Sequence, residues 1–147
     1  MFDKVAQPSI QEGQRVPALR FGDPRVMALA AALCGLVHTV VGFTNRSLCA
    51  QVRSLLDGPY TSTQTTYDLR RLRLKGLIRR LDGTNRYHLT PDGVRVAAFY
   101  TKVQNRLLEP LLAADQPPAP VELRRALRVI DTTINDYITR ARIRPAA

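Results

Sequence analysis

Acidic residues are scarce in this chain. Twelve Asp and Glu stand against twenty-two Lys and Arg in 147 residues, for a formal net charge of +10 and a pI near 10.6. So basic a balance favours a polyanionic partner. Cysteine is nearly absent: Cys34 and Cys49 lack metal-ligand spacing and leave no disulfide framework or zinc site, so both are expected to be reduced core residues of a cytoplasmic protein. Histidine is limited to His38, in an apolar helical run, and His88, in a strand. Neither has Cys, His or a carboxylate at ligand spacing, so both read as structural. No paired acids, Ser/His/Asp set or glycine-rich phosphate loop stands out. No enzymatic activity, metal or cofactor is therefore expected. Aromatics make up 6%; Tyr60, Tyr67, Tyr87, Phe99, Tyr100 and Tyr137 suit core or interface packing rather than a stacking platform for single strands. The N-terminus lacks a basic start followed by an apolar run, so no signal peptide is expected. Val26 to Phe43 carries no formal charge, a length that touches a membrane span. Four alanines, Gly35, His38 and Thr39 make it only mildly apolar, and a buried helix explains it more simply.

The chain does have the length and the ordinary 45% hydrophobic content of one domain with some extra helix. Its charge is concentrated. Residues 44–106 hold twelve basic and four acidic side chains, which accounts for +8 of the total.

Residues 1–22 show no sustained period and carry Pro8, Gly13 and Pro17, so they read as a flexible arm. Asp23-Pro24 is a helix start, and the helix should run to about Val40. Gly42-Phe43 breaks it. Thr44 caps a second helix, Asn45 to about Leu56, with Leu48, Val52, Leu55 and Leu56 on its apolar side. Asp57-Gly58-Pro59 ends that helix, and a third is expected from Ser62 to Lys75. There Thr65, Leu69 and Leu72 form the inward stripe and turn Thr63, Tyr67, Arg70, Arg71 and Leu74 outward. After Gly76 come strands at Leu77–Leu81 and Arg86–Thr90, joined by a turn at Asp82–Asn85. A long helix follows from Pro91 to about Glu109, with Val96, Phe99, Tyr100, Val103 and Leu107 on its apolar side. Pro110 ends or kinks it. Residues 110–120 form a proline-rich connector. A last helix, Val121 to Arg142, spaces Leu123, Leu127, Ile130, Ile134 and Tyr137 as a short coiled-coil-like seam that suits packing or homodimerisation.

Helix, glycine, two-stranded hairpin, helix is the order found in the back half of a winged helix-turn-helix. The segments "LKGLI" and "YHLTPDG" resemble the corresponding parts of MarR-type and ArsR-type bacterial regulators, and the resemblance covers roughly residues 24–109. It implies a mainly α fold with a small β-hairpin wing, plus C-terminal helices. The boundaries would be an arm at 1–22, the winged helix at 23–109, the connector at 110–120 and a packing helix at 121–142. It implies a double-stranded DNA-binding protein, a transcriptional regulator or DNA-binding accessory factor.

On that reading Arg70 and Arg71 are the first choice for base or phosphate contact, and Lys75 joins them at the end of the same helix. Thr63, Gln64 and Tyr67 lie near the helix start, where side chains meet base edges. Gln64 has the chemistry to read adenine, but equally to serve as a capping helper. Asn45 and Arg46 are placed to grip a phosphate at the second helix start, or simply to begin a capped helix. Arg79, Arg80 and Arg86 are wing candidates, at least one of them solvent-facing. Two alternatives use the same scaffold: a protein-interaction module, since fold does not fix function, and RNA binding by the same basic face.

Overall fold

The computed structural model describes residues 2–115 and 120–140. The core of the expected connector, 116–119, and the last two residues of the expected terminal helix, 141–142, lie outside the described residues. The described chain is mainly helical with short antiparallel hairpins. It divides into two compact units, one ending at Gln104 and one beginning at Asn105.

Helix α2, Pro24–Leu36, starts where Asp23 Oδ1 accepts the backbone N–H groups of Arg25 and Val26, with Pro24 at the first helical position. Val26, Ala28, Leu29, Ala30, Ala32 and Leu33 are all buried. The alanines permit close approach to α3, Asn45–Leu55, and α5, Pro91–Val103, which both pack on α2. The uncharged run is thus a core helix, and among the described residues no helix is long and apolar enough to cross a membrane.

Helix α2 ends four residues earlier than its apolar pattern suggested. Thr39 N–H folds back to Leu36 O, and the chain turns at Gly42 so that Phe43 can pair with Tyr87. This puts His38 in an exposed turn rather than in the helix. Gly42 is required twice over: its φ is +75°, and a Cβ there would lie 2.7 Å from Tyr87 O.

Thr44 caps α3 in a reciprocal box with Ser47, as its sequence position suggested. The buried sector comprises Leu48, Cys49 and Val52, whereas Leu55 is 49% exposed. The expected stripe is therefore rotated toward Cys49, whose Sγ approaches Tyr60 O.

Helix α4, Ser62–Leu74, is capped by Thr61 and buries Thr65, Leu69 and Leu72 as expected. It stops in a Schellman arrangement: Leu77 N–H donates to Leu72 O, Gly76 N–H donates to Arg73 O, and Gly76 has φ +73°. Strand β3, Ile78–Arg80, pairs antiparallel with β4, Tyr87–Leu89, in the register Ile78↔Leu89. The strands are shorter than the alternation suggested, but Phe43 adds a bridge on the outer edge of β4. Thr90 caps α5 and Pro91 begins it. Gly93 brings that first turn against β3, since a Cβ there would sit 1.9 Å from Leu77 O. Val96, Ala97 and Tyr100 face the core, but Phe99 does not: it is half-exposed and packs against Phe2 in a tilted pair with ring centroids 4.6 Å apart.

The N-terminal segment is ordered, which corrects the expected flexible arm. Short helix α1, Phe2–Ala6, is followed by a hairpin of β1, Ser9–Gln11, and β2, Gln14–Val16. Glu12 and Gly13 both have positive φ, as a two-residue turn between tightly twisted strands requires. Three buried apolar residues hold the segment down: Val5, Val16 and Leu19. Leu19 N–H donates to Val5 O, and the buried Tyr100 hydroxyl donates to Leu19 O.

The helix expected to run to Glu109 is not unbroken. A five-residue π-helical turn, Gln104–Leu108, gives way to α6, Glu109–Asp115. Pro110 has no N–H to donate, and its ring opposes the carbonyl four residues back; wider turns of this kind relieve that conflict. Residues 110–115 are therefore helical rather than connector. Helix α7, Val121–Arg140, packs on α6. Of its expected seam only Leu127 is buried; Ile130, Ile134 and Tyr137 are exposed, as are Leu111 and Leu112 of α6.

Candidate nucleic-acid interface

Successive 100° steps divide the solvent side of α4 into a ridge and two flanks. Thr63, Tyr67, Arg70 and Leu74 follow the ridge. Thr66 and Arg73 lie on the flank facing the β3–β4 hairpin. Arg71 lies on the other flank. On the β3–β4 side, Arg46 at the start of α3, Thr66, Arg70 and Arg73 of α4, and Asn85 and Tyr87 of the hairpin surround an open cleft of about 400 Å³. Three guanidinium groups line it and no carboxylate does.

Asn45 also lines the cleft, but its side chain is engaged. Its Nδ2 donates to Ser62 O and Thr66 Oγ1 (2.9 Å), and its Oδ1 accepts from Ser62 Oγ. Asn45 thus fixes the start of α3 against the first turn of α4, which sets the cleft's width, while Arg46 beside it is exposed. Thr63 is exposed on the ridge. Gln64 follows the capping alternative: its Oε1 accepts Thr61 N–H at 2.8 Å, which takes the side chain away from base reading.

Two expected contact residues belong elsewhere. Arg71 does not point outward; its side chain is only 11% exposed and faces Asp68, Nη2 to Oδ1 3.6 Å. That spacing is an ion pair beyond hydrogen-bond reach, and Arg71 Nε and Nη2 have no hydrogen-bond partner. Lys75 does not face the cleft either. Its Nζ donates to Lys4 O (2.8 Å), Gln7 O (2.9 Å) and Ser9 Oγ (3.3 Å), tying the N-terminal segment to the end of α4. Burial, and then the charge of Arg71, lower its pKa below the ordinary lysine value.

In the β3–β4 hairpin the three arginines have separate jobs. Arg80 staples the turn, donating to Thr84 O and Asn85 Oδ1. Arg86 leans back toward the carbonyls of Val41 and Gly42. Arg79 is exposed, directly opposite His88.

Sequence reasoning missed the group that orients α4. Asp68 is completely buried; its Oδ2 accepts from Arg25 Nε (2.9 Å) and from the Tyr60 hydroxyl (2.8 Å). Arg25 also donates to Gln64 O and lies over the rings of Tyr60 and Tyr67 at 5.5 and 5.8 Å. Tyr67, 44% exposed, therefore has the guanidinium groups of both Arg25 and Arg71 over its ring, each 5.8 Å from the centroid. The available signal was Asp68's place beside Leu72 on the inward side, where a carboxylate demands partners. Arg73 and Thr66 were missed because the preferred flank depends on where the β3–β4 hairpin folds.

Burial, and then the negative charge of Asp68, hold the Tyr60 hydroxyl proton far above its ordinary pKa of 10.0; burial also raises that of Tyr100. The unfolded chain releases these protons near pH 10 and the folded one retains them. Their contribution is therefore fully present below about pH 10 and is lost as pH rises further. In an absorbance titration Tyr60 should ionise only as the fold is lost and Tyr100 later than an exposed tyrosine, and Tyr60→Phe should make stability fall less steeply with pH above about 10. Ionisation of all five tyrosines near pH 10 with the fold intact would contradict this.

Comparison with protein-family models, with curated proteins and with solved structures gives no match in any of the three. Functional argument therefore rests on the geometry. Among the described residues no three His, Cys, Asp or Glu side chains gather as a metal site requires.

Proposed function

We propose that this chain is a winged helix-turn-helix protein, similar to MarR-type and ArsR-type regulators, that binds double-stranded DNA with sequence preference. It acts as a transcriptional regulator or a DNA-binding accessory factor in the cytoplasm. The observation that carries this reading is the carboxylate-free cleft in which Arg46, Arg70 and Arg73 converge beside an exposed helix ridge. Guanidinium groups suit phosphates and guanine edges, and the small hydroxyls of Thr63 and Thr66 permit close approach. The helix α4 ridge supplies the preference, and the cleft and β3–β4 hairpin supply the phosphate contacts. Exposed apolar residues of α7, Ile130, Ile134 and Tyr137, support a homodimer in which a second copy covers them.

Binding of fluorescent duplex DNA across a salt series tests the reading. Three phosphate contacts give a log–log slope near −2.7, which is roughly a 40-fold loss of affinity between about 50 and 200 mM salt. A salt-insensitive complex, or equal preference for duplex RNA, would sink it.

A further inference from the structure

Residues 15–17, at the end of the N-terminal hairpin, meet Tyr67, Arg71 and Leu74 on the side of α4 away from the β3–β4 hairpin. We propose that β1–β2 is a second wing, and that it completes with α4 a site for one DNA backbone phosphate. This rests on the DNA-binding reading above and adds a contact which that reading does not contain.

Arg15 of β2 and Arg70 and Arg71 of α4 line a small surface cavity of about 90 Å³, walled by Val16, Pro17 and Leu74. No carboxylate lines it. Two of its three guanidinium groups, those of Arg15 and Arg70, belong to exposed residues, while Arg71 is held sideways by Asp68. Arg71 Nε and Nη2 are buried without a hydrogen-bond partner, an arrangement that leaves part of its charge uncompensated. Three arginines lining an acid-free hollow suit a tetrahedral oxyanion, with Arg15 supplied by the hairpin and Arg70 by the helix. Arg70 lines both this cavity and the cleft, so a DNA strand that engages one passes beside the other.

The hairpin is built to stay in place. Lys75 holds its root through two carbonyls and Ser9, Val16 is buried beneath it, and the positive-φ turn at Glu12-Gly13 keeps it short. A pre-positioned Arg15 loses little freedom on binding, which is what distinguishes a wing from a loose arm. On the hairpin face that Arg15 shares with its cross-strand partner, Ile10 is 78% exposed, so that face is free.

The test is Arg15→Ala in the full chain, with duplex affinity measured across a salt series. Arg95→Ala, on the exposed side of α5, removes the same charge as a control. Arg15→Ala should lower the magnitude of the salt slope by about 0.9, one phosphate, and weaken binding several-fold, while Arg95→Ala leaves the slope as in the wild type. Because Arg15 is exposed, melting temperature should not change. Lys75→Met should reproduce the Arg15→Ala slope, and the double variant should add nothing to it. Inorganic phosphate in place of chloride at equal ionic strength distinguishes a backbone phosphate from the free ion. If it displaces duplex from the wild type but not from Arg15→Ala, the site takes the free anion and the second-wing assignment is wrong. Wild-type slope and affinity in Arg15→Ala overturn the assignment while leaving DNA binding intact; absence of duplex binding by the wild type overturns both.

Discussion

Asp68→Ala is expected to destabilise the first unit by about 3–5 kcal/mol, the range for removing one partner from a buried ion pair. Three groups lose their acceptor or counter-charge together. The Tyr60 hydroxyl and Arg25 Nε both bond to Asp68 Oδ2, and Arg71 depends on Oδ1 for its nearest negative charge. An orphaned buried hydroxyl alone costs about 1–3 kcal/mol. Arg25 is 31% exposed and recovers part of its hydration, which keeps the sum inside the quoted range. Against a domain stability of about 5–15 kcal/mol, the loss leaves the fold marginal. Asp68→Asn should cost less, because an amide oxygen still accepts from Tyr60. Urea unfolding followed by circular dichroism measures both; a shift of less than about 1 kcal/mol for Asp68→Ala would show that the network is solvated rather than buried.

The second large effect concerns binding. Arg70→Ala combined with Arg73→Ala should weaken duplex affinity by roughly 30-fold or more, taking about 1–3 kcal/mol for each arginine. Both residues line the cleft and have solvent-exposed side chains, so the fold should survive. The two losses differ in kind. Arg70 lies on the ridge and also lines the cavity shared with Arg15, so its removal should relax preference at one base position as well as lower the salt slope. Arg73 lies on the flank toward the β3–β4 hairpin, and its removal should weaken all duplexes alike and reduce the salt slope by about 0.9. Selection of bound duplexes from a random pool, repeated with each single variant, separates these outcomes. Equal affinity in the wild type and the double variant would remove the cleft from the function.

What could be read from the chain was local. Asp23-Pro24, Thr44 and Thr90-Pro91 start helices because their side chains or fixed φ satisfy orphan N–H groups within a few residues. The Thr65, Leu69 and Leu72 stripe and the Gly76 stop likewise needed nothing beyond α4. The two misplaced basic residues show how distant partners act: Asp68 lies only three residues from Arg71, but Arg25 and Tyr60 hold it inward. Arg71 and Lys75 belong to the same basic helix as Arg70 and are not distinguishable from it by spacing. Asp68 diverts the first and the backbone of residues 4–9 captures the second. The N-terminal hairpin was missed for a related reason. Its strands are only three residues long, too short for alternation to register, and Val16 and Val5 gain their burial only when the rest of the first unit is in place.

The sequence by itself determined where α2, α3, α4, α5 and α7 begin, which stripe of α4 turns inward, and that positive charge gathers between residues 44 and 106. Tertiary structure alone decided which of those charges remain free. A buried carboxylate 43 residues from Arg25 sets the facing of α4, and a bridge from Phe43 to Tyr87 sets the cleft's far wall. Periodicity tells a residue's angle about its own helix; only the neighbours that fold against that helix tell whether water, a counter-charge or a carbonyl waits at that angle.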